Sequence, residues 1–116
     1  MNRQQAERSG RDGETRAAPW LRAKGWQILD RRIKTPAGEI DLVAKRGRLV
    51  AFVEVKWRKK REELDYAIDQ TRLTRVAAAT EAVAHRYAQE GEDIRVDVIL
   101  LAPGAFPRHI ANAWQP

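Results

Sequence analysis

Two apolar segments with charged residues inside them, joined by a short turn, constrain the fold of this chain more than any other feature. The first reads EIDLVA over residues 39–44 and the second reads RLVAFVEVK over residues 48–56, with Lys45-Arg46-Gly47 between them. Short apolar runs bounded by turn residues are typical of strands, and the composition of the turn favours a hairpin. We therefore expect these segments to be adjacent antiparallel strands.

The rest of the pattern predicts one α/β domain over residues 9–116, after a polar, frayed start at 1–8. Ser9 and Asp12 have the spacing of a capping box that opens a helix. Pro19 is a complication within it, because a proline in a helix interior clashes with the preceding turn. Either the helix kinks at Pro19 or a new first turn begins at Ala18.

Further strands are expected at 26–33, at 94–101 and, as a short last strand, within 108–114, with a long helix from Leu64 to about Glu90. The order is α-β-β-β-α-β(β). The helix between the third and fourth strands allows a parallel crossover, so the sheet should be mixed, with four or five strands flanked by helices.

Alternation along the second strand predicts which side chains share a face. Residues i and i+2 of a strand point the same way, roughly 6.6 Å apart. Glu39 and Asp41 should therefore lie on one face, and Ile40 and Leu42 on the other. Since a short hairpin makes the two strands neighbours, acids from both can converge on one patch of the sheet.

On the third strand, Glu54 and Lys56 share a face with Phe52. Burying an unpaired charge costs several kcal/mol, so these charges need an explanation. They could lie at strand ends that reach water, or form a structural ion pair. Alternatively, Asp41 and Glu54 could offer oxygens to Mg²⁺, with the Val55 carbonyl, while Lys56 holds an attacking water or stabilises charge on a phosphate.

The residue types available limit any cofactor. The chain has no cysteine and only two histidines, His85 and His109, so a thiolate or histidine zinc site cannot be built. A metal site would have to use oxygen ligands, which suits Mg²⁺, Mn²⁺ or Ca²⁺. We expect Mg²⁺ or Mn²⁺, no zinc and no organic cofactor.

Positive charge is concentrated in the first half of the chain. The formal net charge is +6, but residues 1–61 hold 17 Lys/Arg and 7 Asp/Glu, a net of +10, and the remainder is acidic. Such a balance favours an anionic partner. The densest cluster, Arg58, Lys59, Lys60 and Arg61, directly follows Trp57. It is either a solvated loop or a surface that binds phosphates, with Trp57 stacking on a base.

No segment indicates a membrane or secreted protein. The first twelve residues contain no apolar stretch, and the longest apolar runs in the chain are five residues. We therefore expect no signal peptide, no membrane partner and a cytoplasmic location.

Two further features stand near the end of the chain. Arg95 and Asp97 share a strand face and could form a structural pair. His109 has no partner that the sequence identifies.

Several motifs in this order resemble the PD-(D/E)XK nuclease superfamily and, more narrowly, the small bacterial YraN-like family. The resemblance extends from Gly10 to Trp114. It rests on Gly10, Gly13 and Glu14, on GEID at 38–41, on FVEVKWR at 52–58, on RVD at 95–97 and on NAW at 112–114. Each motif is weak alone, but their order on the predicted strands and helices is specific.

The resemblance implies a restriction-endonuclease-like core, similar also to archaeal Holliday-junction resolvases. Asp41, Glu54 and Lys56 would match the catalytic motif, with Asp41 and Glu54 binding the metal. Glu14 would add a carboxylate from the first helix. Glu39 would be a supporting acid.

Two positions depart from the family pattern, Pro19 in the first helix and Arg72. Arg72 stands where we expect a lysine on the second long helix. An arginine keeps the charge but cannot act as a base at neutral pH. Arg72 either points at the site or is a snorkelling side chain at the edge of the helix.

The resemblance implies an Mg²⁺-dependent endonuclease that hydrolyses phosphodiesters in structured or branched nucleic acid, and we expect DNA ahead of RNA. One alternative is a nucleic-acid-binding module that keeps the nuclease fold without catalysis. Another is a structural domain whose acidic second half binds a protein. Resolvase-like relatives pair to bind two strands, so a homodimer is a further expectation.

Overall fold

The computed structural model describes residues 16–114, which form a helix, three consecutive strands, a helical segment and two further strands. Residues 16–23 are helical and are called α1. The strands are β1 (Gln27–Thr35), β2 (Gly38–Arg46), β3 (Leu49–Trp57), β4 (Asp93–Leu101) and β5 (Arg108–Ile110). Between β3 and β4 lie a 3₁₀ helix (Arg61–Tyr66), α2 (Gln70–Val83) and a 3₁₀ turn (Ala84–Arg86).

The five strands form one mixed sheet in the order β1-β2-β3-β4-β5, which confirms the expected α/β class. Only β3 and β4 run parallel among these pairs, and the other pairs are antiparallel. A turn of two residues joins β2 to β3, and Gly47 adopts the positive φ (62°) that a tight hairpin favours.

Both faces of the sheet are covered. Phe52 packs in one core cluster with α2, called the α2-side core, and its neighbour Val53 packs in another with α1, called the α1-side core. Leu100 and Leu101 divide between the two cores in the same way. A strand that is buried on both faces reads as an almost continuous apolar run, which explains the composition of β3 and β4.

The expected helix from Leu64 to about Glu90 is wrong at both ends. The Asp69 carboxylate accepts hydrogen bonds from the backbone N–H of Thr71 (2.9 Å) and of Arg72 (3.3 Å), so α2 begins only there. An aspartate that satisfies these free amides stabilises a helix start better than a helix interior. Ile68 therefore lies outside α2, and α2 gives way to 3₁₀ geometry after Val83.

Alternation in β2 breaks at Asp41, so the expectation that Ile40 and Leu42 share a face is wrong. Ile40 packs in the α2-side core and Leu42 in the α1-side core. Across the ladder, Arg32 in β1 has a left-handed φ of 53°. Arg32 lies between the pairs Arg31↔Leu42 and Ile33↔Ile40, so it stands opposite Asp41, where the alternation breaks.

The expectations for the chain ends have mixed outcomes. Arg16 and Ala17 are already helical, so the helix does not begin anew at Ala18, and the exposed Pro19 lies within it. The last strand stops at Ile110. The frayed start at 1–8 and Glu14 lie outside the described residues.

In the part of the chain that is described, no helix is long and apolar enough to cross a membrane.

Candidate functional site

Glu54 is a buried carboxylate at the centre of the candidate site. It lies near the end of β3, on the face that meets α2, and is only 3% exposed. Its Oε1 accepts a hydrogen bond from Nε of Arg72 and lies 3.5 Å from Nζ of Lys56. Glu54 does not reach water, and two cations compensate its charge.

Arg72 reaches Glu54 because Asp69 sets the start of α2. Arg72 is the third residue of the helix, and its side chain is 52% exposed beside the almost fully buried carboxylate. The hydrogen bond to Glu54 raises the pKa of Arg72 against the effect of burial, and the charges of Glu54, Asp41 and Glu39 raise it further. The sequence left open whether Arg72 points at the site or lies along the edge of the helix, and in the structure it points at Glu54.

The side chain of Asp41 is hydrogen-bonded to the backbone of β3, the strand that carries Glu54. Its Oδ2 accepts a hydrogen bond of 2.7 Å from the N–H of Val55, the residue after Glu54. The regular β2–β3 pairing ends at Leu42↔Val53, so the Asp41 side chain bonds to β3 where the strands part. This places the carboxylate of Asp41 next to the segment that carries Glu54 and Lys56.

Glu39 lies beside a pocket of about 270 Å³ between β2 and α2. Arg72 and Arg75, one turn apart on α2, line the same pocket with Gly38. A Cβ on Gly38 would lie 2.8 Å from the backbone oxygen of Arg75, so glycine permits the close approach of the helix. Arg75 was not among the residues predicted from the sequence, although its spacing of three from Arg72 places it on the same helix face.

The oxygen atoms at this site, two of them from carboxylate groups, are of the kind that binds a hard cation. Asp41, Glu54 and the Val55 carbonyl offer oxygen donors, and Mg²⁺ is often held by one or two carboxylates, waters and substrate phosphates. Within residues 16–114, no group of three or more histidine or acidic side chains is arranged to hold a metal ion. Glu14, the third carboxylate that the family resemblance implies, lies outside the described residues.

The cation cluster is exposed, but the tryptophan before it is partly buried. Lys59, Lys60 and Arg61 are exposed, and Arg58 is half-buried, with Nη1 donating to the backbone oxygen of Trp57 (2.9 Å). The ring of Trp57 packs against the α1-side core, and its Nε1 is buried without an acceptor among the described residues. The ring contributes packing, while the cations face solvent.

A second polar cluster lies on the opposite face of the sheet, around Asp97 of β4. Its carboxylate accepts two hydrogen bonds from Arg95 (2.7 and 2.9 Å), one from the N–H of Asn112 (2.9 Å) and one from Nε2 of His109 (2.7 Å). Because a carboxylate only accepts, His109 carries the proton on Nε2. The Arg95–Asp97 pair is confirmed, whereas the partner of His109 was missed.

These bonds decide the protonation of Asp97. Full burial works to raise its pKa, but the hydrogen bonds from His109, Arg95 and the Asn112 amide, with the charge of Arg95, lower the pKa to about 2. The carboxylate is therefore ionised in the folded protein and joins β4 to β5 and the segment after it.

The fold and this site define a small α/β protein whose mixed sheet places acids and cations side by side at the end of β3. The chain belongs to the Uncharacterised protein family UPF0102, whose family model matches residues 13–101, and the expected family is thereby confirmed. The chain is 80% identical over its whole length to the UPF0102 protein of Erythrobacter litoralis and 57% identical to that of Sphingopyxis alaskensis, each also covered in full. It is 46% identical to the UPF0102 protein of Caulobacter vibrioides over 94% of this chain and 88% of that one.

Proposed function

We propose that this protein is a metal-dependent endonuclease, with a restriction-endonuclease-like core, that hydrolyses phosphodiesters in structured or branched DNA. The observation that carries the proposal is the buried carboxylate of Glu54, in contact with Lys56 and Arg72, with Asp41 bonded to the next residue of the strand. Shortly after that strand come three exposed cations, Lys59, Lys60 and Arg61. Acids within a basic surface suit phosphodiester chemistry that a metal assists.

The acids and the lysine of the site would have different roles in the reaction. Asp41 and Glu54, with the Val55 carbonyl, would hold Mg²⁺ or Mn²⁺, which would neutralise charge on the phosphate and make a water more acidic. The Nζ of Lys56, 3.5 Å from Glu54, is close enough to orient the attacking water or to stabilise charge that develops on the phosphate.

Arg72 has two uses in this proposal. It compensates the charge of Glu54 in the free protein, and its half-exposed guanidinium lines a pocket with Arg75. Guanidinium groups bind phosphate oxygens through paired hydrogen bonds. When a cation takes over the charge of Glu54, Arg72 can turn to a phosphate beside Arg75.

Cleavage of DNA in the presence and absence of metal tests the proposal. We expect the wild-type protein to cleave four-way-junction or flap DNA in Mg²⁺ or Mn²⁺ but not in EDTA, and Asp41→Ala to be inactive. Asp41→Asn should also be inactive, although its amide oxygen can still accept from Val55. Asp93→Ala, which removes an exposed acid of β4, should cleave normally. Equal background from the wild-type protein and Asp41→Ala would refute catalysis.

A non-catalytic nucleic-acid-binding module is the second candidate, because Glu54 already has two cationic partners in the structure. It predicts DNA binding without cleavage in any divalent metal. The same cleavage series separates the two candidates.

Exposed cations should control how DNA affinity depends on salt. We expect Lys59→Ala and Arg61→Ala each to lower the slope of log affinity against log salt by about 1, because each releases about one fewer counterion. Arg86→Ala, an exposed arginine after α2, is the control and should leave the slope unchanged. Titrations at several salt concentrations measure the slopes. Unchanged slopes in both test variants would show that this cluster is not the DNA-binding surface.

A further inference from the structure

Two large aromatic side chains are almost fully exposed at one edge of the sheet. Tyr66 is 88% exposed at the end of the 3₁₀ helix that follows β3, and Phe106 is 92% exposed in the loop that follows β4. Because β3 and β4 are parallel neighbours, the segments after them leave from the same edge. Single exposed apolar residues are common, but two aromatic rings on one edge indicate a binding surface.

The segments that carry these rings contact each other at two places. Nη1 of Arg108 lies 2.7 Å from Oδ1 of Asp65, which joins the residue before Tyr66 to the start of β5. The N–H of Arg58 donates to the backbone oxygen of Leu101 (2.9 Å) where both segments begin. An exposed ion pair adds little stability, so the Asp65–Arg108 contact shows that the two segments lie side by side and is not what holds them there.

Charge along the first segment indicates what the rings would meet. The cation cluster Arg58–Arg61 leads directly into the 3₁₀ helix, and Glu62 and Glu63 follow it. Phosphates are therefore attracted by the cations that end at Arg61 and repelled by the acids that follow it in the chain. The next exposed aromatic side chain is the ring of Tyr66, which offers a face for a base. Cations beside exposed aromatic rings are the combination that binds single-stranded nucleic acid.

We propose that Tyr66 and Phe106 stack on unpaired bases of a nucleic acid whose phosphates lie along Arg58–Arg61. This inference rests on the proposed function and specifies its substrate class. The protein selects DNA with a single-stranded arm or an open branch point over a fully paired duplex. Stacking of one base on one aromatic ring is worth about 1–3 kcal/mol, so each ring should contribute roughly five- to hundredfold in affinity.

Binding measured without cleavage tests this inference. The probes are two labelled DNAs of equal length in EDTA, one fully paired and one with an unpaired arm, followed by fluorescence anisotropy. We expect Tyr66→Ala and Phe106→Ala each to weaken binding of the armed DNA roughly five- to hundredfold and to leave duplex binding unchanged. Tyr66→Trp should retain the preference, because an aromatic face remains.

Ile94→Ala is the matched control, since Ile94 is an exposed apolar residue (49%) at the opposite end of β4. It should change neither affinity. If the aromatic variants weaken both DNAs equally, or neither, the inference is wrong while nucleic-acid binding stands. If the wild-type protein binds neither DNA, the proposed function fails as well.

Discussion

Replacing Asp97 by alanine is expected to lower the free energy of unfolding by about 3–5 kcal/mol, the usual cost of breaking a buried ion pair by removing one partner. Asp97 is fully buried and accepts from Arg95, His109 and the backbone of Asn112. All of these donors would lose their acceptor at once. A domain of this size has about 5–15 kcal/mol of stability in total, so the loss is a large share.

Urea unfolding of the wild-type protein and Asp97→Ala measures this cost. Asp93→Ala removes an exposed acid of the same strand and should lie within about 0.5 kcal/mol of the wild type. The contribution of Asp97 should also depend on pH. Its folded pKa of about 2 lies below the ordinary 3.8, so its stabilisation is complete above about pH 4 and is lost as the pH falls towards 2. A loss below about 1 kcal/mol in Asp97→Ala would contradict the prediction.

Features that depend on local pattern were predictable from the sequence. The β2–β3 hairpin follows from two short apolar runs around a glycine turn, and the parallel β3–β4 pair follows from the helical crossover between them. The faces of β3 were also predicted correctly, because its alternation is regular and Phe52 and Val53 do pack on opposite sides.

What the sequence missed depends on contacts between distant residues. The break at Asp41 lies opposite the left-handed Arg32 on the neighbouring strand, which no periodicity in β2 reveals. His109 meets Asp97 only because β5 pairs with β4 in one particular register. The start of α2 was predicted too early because the spacing of apolar residues extends back to Leu64. That spacing carries no information about the N-cap at Asp69.

Whether Glu54 is a metal ligand or only half of a structural ion pair can be decided by metal-dependent stability. If Asp41 and Glu54 bind Mn²⁺ in the folded state alone, Mn²⁺ at a hundred times its dissociation constant raises the free energy of unfolding by about 2.7 kcal/mol. Glu54→Gln should abolish this gain, together with cleavage. A merely structural Glu54 predicts no gain in the wild-type protein.

Arg72 gives the sharper test, because it must leave Glu54 before a cation can take its place. Without metal, Arg72→Ala should be destabilised, since among the described residues Lys56, at 3.5 Å, is the one cation that Glu54 then keeps. With metal, the same variant should bind Mn²⁺ roughly tenfold more tightly, a gain of about 1.4 kcal/mol, because no guanidinium has to be displaced. Arg75→Ala is the matched control: Arg75 lines the same pocket but makes no bond to Glu54, so Mn²⁺ affinity should not change. Calorimetric titration measures the affinities. Weaker or unchanged Mn²⁺ binding in Arg72→Ala would contradict competition at Glu54, whereas tighter binding in that variant alone would show that the arginine and the metal compete for one carboxylate.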